Sequence, residues 1–166
     1  MQADGVIDRY AIGGAVGALF YLEASDTEDI DIFITFRKIP GTELISLRPI
    51  YTYLKERGYA EHRKEGVVIE GWPVQFLPAV DGLGEEALAE AVSTDLDGVP
   101  ARVMTSEHLV ALALKAGRGK DHIRILSFIE SSKLDPKRLD AVLKRHGLVE
   151  IWRDFEYKFI KGGKKP

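Results

Sequence analysis

Apolar residues fall in two textures along the chain. Up to about residue 103 the apolar runs are short and broken by glycine, proline or acids. Beyond that point they recur at helical spacing. Residues 10–12 predict a strand stopped by Gly13-Gly14. Residues 15–23 predict a helix with Val16, Leu19, Phe20 and Leu22 in its stripe; Gly17 weakens it and points to close packing or to close approach of a ligand. A polar loop over 25–28 leads to a strand over 29–36, apolar enough on both faces to be central in a sheet. Pro40-Gly41 breaks the chain. A helix follows over 42–58, with Leu44, Leu47, Ile50, Tyr51 and Leu54 inward and Gly58 as its stop. Pro49 inside that window allows a kink or a later start. Strands over 61–64, 67–70 and 73–77, turning at Glu65-Gly66 and Gly71, predict a meander. A short helix over 85–92 and a hairpin over 95–103, turning at Asp97-Gly98, close this half.

Helices are then predicted over 105–116, 120–130, 136–146 and 148–160. Thr105-Ser106-Glu107-His108 resembles a capping start, and Asp135-Pro136 sets a cap before proline at the first helical position. The expected fold class is α/β (α+β): a short mixed sheet with flanking helices, then a helical C-terminal portion. Residues 1–104 form the expected αβ core and 105–160 a helical subdomain, joined too closely to be independent. The Gly- and Lys-rich residues 161–166 read as a disordered tail.

Composition changes this picture little. The 166 residues are 45% hydrophobic, enough to bury a real core. The absence of cysteine excludes disulfides and thiolate metal sites. A net charge of -3 gives no general signal for nucleic acid or an anionic membrane. No stretch is long and apolar enough to span a bilayer, and the N-terminus lacks the parts of a signal peptide. The expectation is a soluble, cytoplasmic protein without a membrane partner.

The chemistry concentrates near the start. Asp29 and Asp31 flank Ile30 at the head of a strand, and residues i and i+2 of a strand share a face. Two carboxylates so placed can share a hard divalent cation such as Mg2+. Aspartate is depleted in strand interiors, which weighs against reading the pair as a loop cap and a solvent-facing residue. Gly13-Gly14, upstream between strand and helix, can form a bend whose N–H groups receive phosphate, or simply a tight turn. A dinucleotide-binding fold would need Gly-x-Gly-x-x-Gly, which Gly13-Gly14-Ala15-Val16-Gly17 does not supply. A phosphate bend beside paired carboxylates is the equipment of nucleotidyl transfer from a nucleoside triphosphate (NTP). His62, His108, His122 and His146 lack ligand spacing and read as surface or capping residues. Trp72 and Trp152 read as packing residues. Trp152, Phe155, Tyr157 and Phe159 read as a face docked against the core, or a partner surface if exposed, and the basic pairs 137–138 and 144–145 as solvated helix surface in preference to a stripe for RNA.

Ile12-Gly13-Gly14 followed by Asp29-Ile30-Asp31-Ile32 resembles the nucleotidyltransferase superfamily that includes DNA polymerase beta. Lys115-Ala116-Gly117-Arg118-Gly119-Lys120-Asp121 resembles a basic segment of minimal bacterial members, including AbiEii-like toxins of toxin–antitoxin pairs. The resemblance spans about residues 10–130. It implies that Gly13 and Gly14 hold triphosphate, that Asp29 and Asp31 hold Mg2+, and that Lys115, Arg118 and Lys120 face the phosphates. Taken alone, the basic segment is equally a solvated turn between helices, with Asp121 near a helix start for dipole reasons. The resemblance further implies a hydroxyl acceptor (protein, tRNA or small molecule) and a cognate antitoxin or other partner protein. Active members carry a third acid within an apolar-acid-apolar pattern, and the matching position here is Gln75. Glutamine can ligate weakly through its amide oxygen but cannot take a proton at neutral pH. The implied alternative is a catalytically weak or inactive relative that binds nucleotide or a partner. Glu70 is the obvious substitute acid, though it lies at the far end of the meander.

Overall fold

The computed structural model describes residues 1–23, 27–36, 46–96 and 98–162. The break at Pro40-Gly41, the start of the helix expected over 42–58, Asp97 of the hairpin turn and the end of the expected tail lie outside them. The chain divides into two compact units, Met1–Thr105 and Ser106–Pro166.

The first unit is built on a seven-stranded mixed sheet in the order β3-β4-β5-β2-β1-β7-β6. β2 (Ile30–Thr35) is its middle strand, paired antiparallel with β1 (Arg9–Ile12) and parallel with β5 (Trp72–Pro78). The predicted central strand is therefore central, with backbone partners on both sides. β3 (His62–Arg63), β4 (Gly66–Ile69) and β5 form the expected meander, and β6 (Val92–Leu96) and β7 (Val99–Val103) the expected hairpin. Alternation along β2 sends Ile30, Ile32 and Ile34 to one face and Asp31, Phe33 and Thr35 to the other. The first face joins Val67, Val74 and Phe76 from the sheet with Ile50 and Leu54 from α2 (Arg48–Lys55) in one buried cluster. Ile34 is fully buried there, worth roughly 2 kcal/mol.

Three helices depart from expectation. α1 is only Gly14–Ala18 instead of 15–23. Its buried residues are the small Ala15, Gly17 and Ala18, while Leu19 is exposed, so close approach to the sheet replaces an apolar stripe. The chain leaves α1 in tight turns, Leu19 N donating to Ala15 O and Val16 O, and the Tyr21 hydroxyl then ties the segment to Met104 O at 3.0 Å. α2 starts late because Pro49 occupies its first turn, where a missing N–H costs nothing. α3 is Gly82–Ala89, displaced upstream of the expected 85–92, because the Asp81 carboxylate caps Gly84 N at 2.9 Å and Leu83, Ala87 and Leu88 are buried. Val92 consequently opens β6.

The second unit holds α4 (Ser106–Ala116), α5 (Gly119–Glu130), α6 (Pro136–Arg145) and α7 (Val149–Phe155), which runs on into a π-helical turn, Glu156–Ile160. Asp135 caps α6, accepting from Lys137 N at 2.9 Å and Arg138 N at 3.3 Å. Lys137, Arg138, Lys144 and Arg145 form an exposed helix face, as expected. Trp152 and Phe155 stack with ring centroids 5.6 Å apart, and His122 packs against Phe155 and Phe159 at 5.7 and 4.7 Å. His108 is fully buried within α4, against the expectation of a surface or capping residue. No helix among the described residues is long and apolar enough to cross a membrane.

Candidate active site

β1 ends at Ile12, and Gly13 and Gly14 turn the chain into α1. Gly13 N–H donates to Asp31 O at 2.9 Å, so that amide is spent on holding the bend to β2. A side chain at Gly13 would lie 2.6 Å from the Phe33 ring. Gly14 has φ +56, a left-handed conformation that favours glycine. A Cβ there would lie 1.8 Å from Asp31 Oδ2. The carboxylate of Asp31 therefore occupies the space beside the bend that only glycine leaves open.

Asp29 stands one residue ahead of β2, its carbonyl accepting from Thr27 Oγ1 at 2.9 Å. The parallel pairing of β2 and β5 sets Asp31 level with Gln75. Neighbouring residues in register share a face, so the two side chains sit side by side. Gln75 Nε2 donates to Glu65 Oε2 at 2.6 Å. Glu70 is engaged elsewhere: it lies at the β4–β5 turn with φ +48 and accepts from the Tyr59 hydroxyl at 2.6 Å. That bond, with the Glu70 charge behind it, raises the Tyr59 phenol above its ordinary value. Trp72 is half exposed, and two-residue alternation puts it on the face of Val74, away from Gln75.

The turn joining β3 to β4 is Lys64-Glu65, one residue ahead of the expected Glu65-Gly66, and its nearness to the site was not foreseen. Lys64, with φ +55, pairs its ammonium with the Glu28 carboxylate. The hydrogen bond to Glu28, then the charges of Glu28 and Asp29, raise the Lys64 ammonium above its ordinary value. Glu65 follows and reaches Gln75. Only the meander's register brings this turn to the acids, so spacing along the chain carried no signal for it.

The basic segment lies in the second unit, at the junction of α4 and α5. Lys115, Arg118 and Lys120 are exposed there. Gly117, at φ +66, ends α4. The Arg118 guanidinium grips Asp121, Nε to Oδ2 at 2.6 Å and Nη2 to Oδ1 at 3.2 Å. Arg124 Nη1 adds a third bond to Asp121 Oδ1 at 3.2 Å, and Asp121 is 1% exposed. The local role of this Asp–Arg group is to cap the start of α5, with Arg118 as its N-cap residue and Asp121 and Arg124 in its first turns.

The family model described as "Nucleotidyl transferase of unknown function (DUF2204)" matches residues 1–151. No curated protein matches the chain. Among solved structures, an antigenic nucleotidyltransferase-like protein from Paracoccidioides brasiliensis is similar at 15% identity and a TM-score of 0.49, over 87% of this chain and 84% of that one. ANT(2″)-Ia in complex with adenylyl-2″-tobramycin is similar at 16% identity and a TM-score of 0.49, over 91% and 92%. The solution structure of the antibiotic-resistance factor ANT(2″)-Ia is similar at 16% identity and a TM-score of 0.48, over 95% and 90%. A glycine bend pressed on a strand aspartate and a family match across most of the chain agree, and the protein belongs to the nucleotidyl transferase family DUF2204.

Proposed function

We propose that the protein is a metal-dependent nucleotidyltransferase, moving a nucleoside monophosphate from an NTP to a hydroxyl of a protein, a tRNA or a small molecule. One observation carries this reading: the Asp31 carboxylate lies where a Gly14 side chain would be. A triphosphate and a carboxylate at one bend repel each other unless a cation lies between them. Asp29 and Asp31 suit Mg2+, since their carboxylates offer only hard oxygens. Asp29 and Asp31 would hold the ion, which when bound neutralises charge developing on phosphoryl oxygens. Gly14 lets the phosphates approach the backbone, while Gly13 holds the bend to β2. Lys115, Arg118 and Lys120, in the second unit, are the residues that the family resemblance assigns to phosphate.

Calorimetric titration with ATP, CTP, GTP and UTP, with and without magnesium, tests the binding half of this reading. Transfer from α-labelled NTPs tests the chemical half. Magnesium-dependent binding that Asp31→Asn abolishes is the expected result. Equal binding by wild type and Asp31→Asn refutes it.

A second reading is favoured by Gln75, a residue that cannot accept a proton, level with Asp31. In it the protein binds NTP or a partner and transfers slowly or not at all. Gln75→Asp separates the two: a large gain in transfer supports the second reading, and fast wild-type transfer with no gain supports the first. The resemblance to toxin–antitoxin nucleotidyltransferases extends the proposal to growth arrest relieved by a cognate antitoxin. Expression in a bacterial host, comparing wild type with Asp29→Asn, checks that extension.

A further inference from the structure

We propose that Glu65 is the proton acceptor for the attacking hydroxyl and that Gln75 is the residue that positions it. The inference rests on the transferase reading above and assigns a role to a residue outside its paired acids. The turn that bears Glu65 is held at three points. Lys64 adopts a left-handed conformation and pairs with Glu28, adjacent in sequence to Asp29. Gly66 closes on β5 so tightly that a Cβ would lie 3.0 Å from Val74 O. Gln75 Nε2, level with Asp31, donates to Glu65 Oε2 at 2.6 Å.

The chemistry assigns the roles. A hydroxyl must lose its proton as it attacks phosphorus. Asp29 and Asp31 are committed to the cation in the proposed reading, and an amide cannot take the proton. Glu65 is the carboxylate bonded to the side chain standing beside Asp31. An ionised carboxylate has about four lone-pair sites, of which Gln75 occupies one. A carboxylate at position 75 would repel Glu65 at this distance, or share one proton with it. A neutral amide instead donates to Glu65 and keeps it an acceptor. The acid function is thus relocated by one side chain instead of being lost. In the step, the acceptor O–H bond breaks and its proton passes to a Glu65 oxygen. The acceptor oxygen bonds to the α-phosphorus, the bond from that phosphorus to the bridging oxygen breaks, and pyrophosphate leaves with the electron pair.

The test measures product release and transfer from α-labelled ATP, CTP, GTP and UTP with magnesium, water being an acceptor always present, from about pH 5 to about pH 9. Calorimetric binding of the same nucleotides is measured on every variant. For Glu65→Gln, kcat falls on the order of 100-fold or more, the acid limb of its pH profile is lost, and triphosphate binding stays within about twofold of wild type. Glu65→Asp restores part of the rate and the acid limb. For Gln75→Leu, kcat falls roughly 10-fold and the acid limb moves but survives, because the base remains and only its placement is lost. A Glu65→Gln protein with wild-type kcat and an unchanged acid limb overturns the inference while leaving the transferase reading intact. Wild type that binds NTP but releases no product overturns the role of Glu65 and leaves binding alone. Wild type that binds none of the four overturns both.

Discussion

Gly14 is restricted to glycine twice, by its φ of +56 and by Asp31 Oδ2 at 1.8 Å from where a Cβ would stand. The carboxylate is the end of a short side chain rooted in the middle strand, so it cannot retreat far. Gly14→Ala is expected to displace Asp31 and lower stability by roughly 1–3 kcal/mol, through strain plus the disturbed bend. Denaturant unfolding measures the loss, and calorimetry should show magnesium-dependent triphosphate binding lost with it. Thr35, at the far end of the same strand, carries the opposite liability. Its hydroxyl is buried and has no hydrogen-bond partner among the described residues. Valine has nearly the same shape and no group to desolvate. Thr35→Val is therefore expected to stabilise by about 1 kcal/mol, read as a higher denaturant midpoint at unchanged slope. The Gly-Gly and Asp-x-Asp patterns were legible in the sequence because each residue type is unusual in its context. The contact of Glu65 with Gln75 was not, because it depends on which strands pair.

At the scale of elements, caps and packing decided where helices begin. The cap at Asp135 was visible as Asp-Pro ahead of an amphipathic run, and α6 starts there. Asp135→Ala leaves Lys137 N and Arg138 N without their acceptor. It is expected to cost about 1 kcal/mol, measured by thermal or denaturant unfolding. The cap at Asp81 was hidden behind Gly82 and Gly84, which spacing alone reads as loop. α1 was overestimated for the reverse reason. Val16, Leu19, Phe20 and Leu22 carry helical periodicity, yet the chain buries Ala15, Gly17 and Ala18 instead, because only small residues permit its close approach. At the α4–α5 junction, Arg118 and Arg124 converge on buried Asp121. With Arg118 more than half exposed, screening tempers that pairing. Asp121→Ala is expected to cost about 2 kcal/mol, with most of the loss from stranding Arg124, which is 14% exposed. Urea unfolding of Asp121→Ala beside Arg118→Ala apportions it.

For the whole molecule, binding and folding are linked. A ligand at 100 times its Kd stabilises the folded state by about 2.7 kcal/mol. For a chain of this size that is a rise of roughly 5–10 °C in Tm. An NTP with magnesium is expected to produce it in wild type, and the Asp29→Asn/Asp31→Asn protein to show none, as read by thermal scanning. The amino-terminal segment adds a pH dependence. The Tyr53 hydroxyl donates to Asp4 Oδ2 at 2.6 Å. That bond, aided by the amino terminus and Arg57, holds Asp4 below the usual carboxylate value, and the same bond raises the Tyr53 phenol. A depressed acid stabilises the fold above its ordinary value, and the benefit is lost as pH falls through the depressed value. A raised phenol stabilises below its ordinary value, and that benefit is lost as pH climbs through the raised one. The contact is therefore complete across neutral pH and weakens at both extremes. Stability profiles of wild type and Tyr53→Phe should converge in acid, once pH lies below the depressed Asp4 value, and in alkali, once it lies above the raised Tyr53 value.

What the sequence determined by itself was local: which runs are strands or helices, where several helices are capped, and which residues are suited to a cation and a polyanion. Those properties follow from side-chain periodicity, backbone preference and charge, all readable over a few neighbouring residues. Tertiary structure decided which strands lie side by side. The order that sets β2 between β1 and β5 brings Gly14 against Asp31, Gln75 level with it, and Glu65 onto Gln75. Register is a long-range property, set by burying Ile34, Val74 and Phe76 on one face, and it carries the opposite face with it.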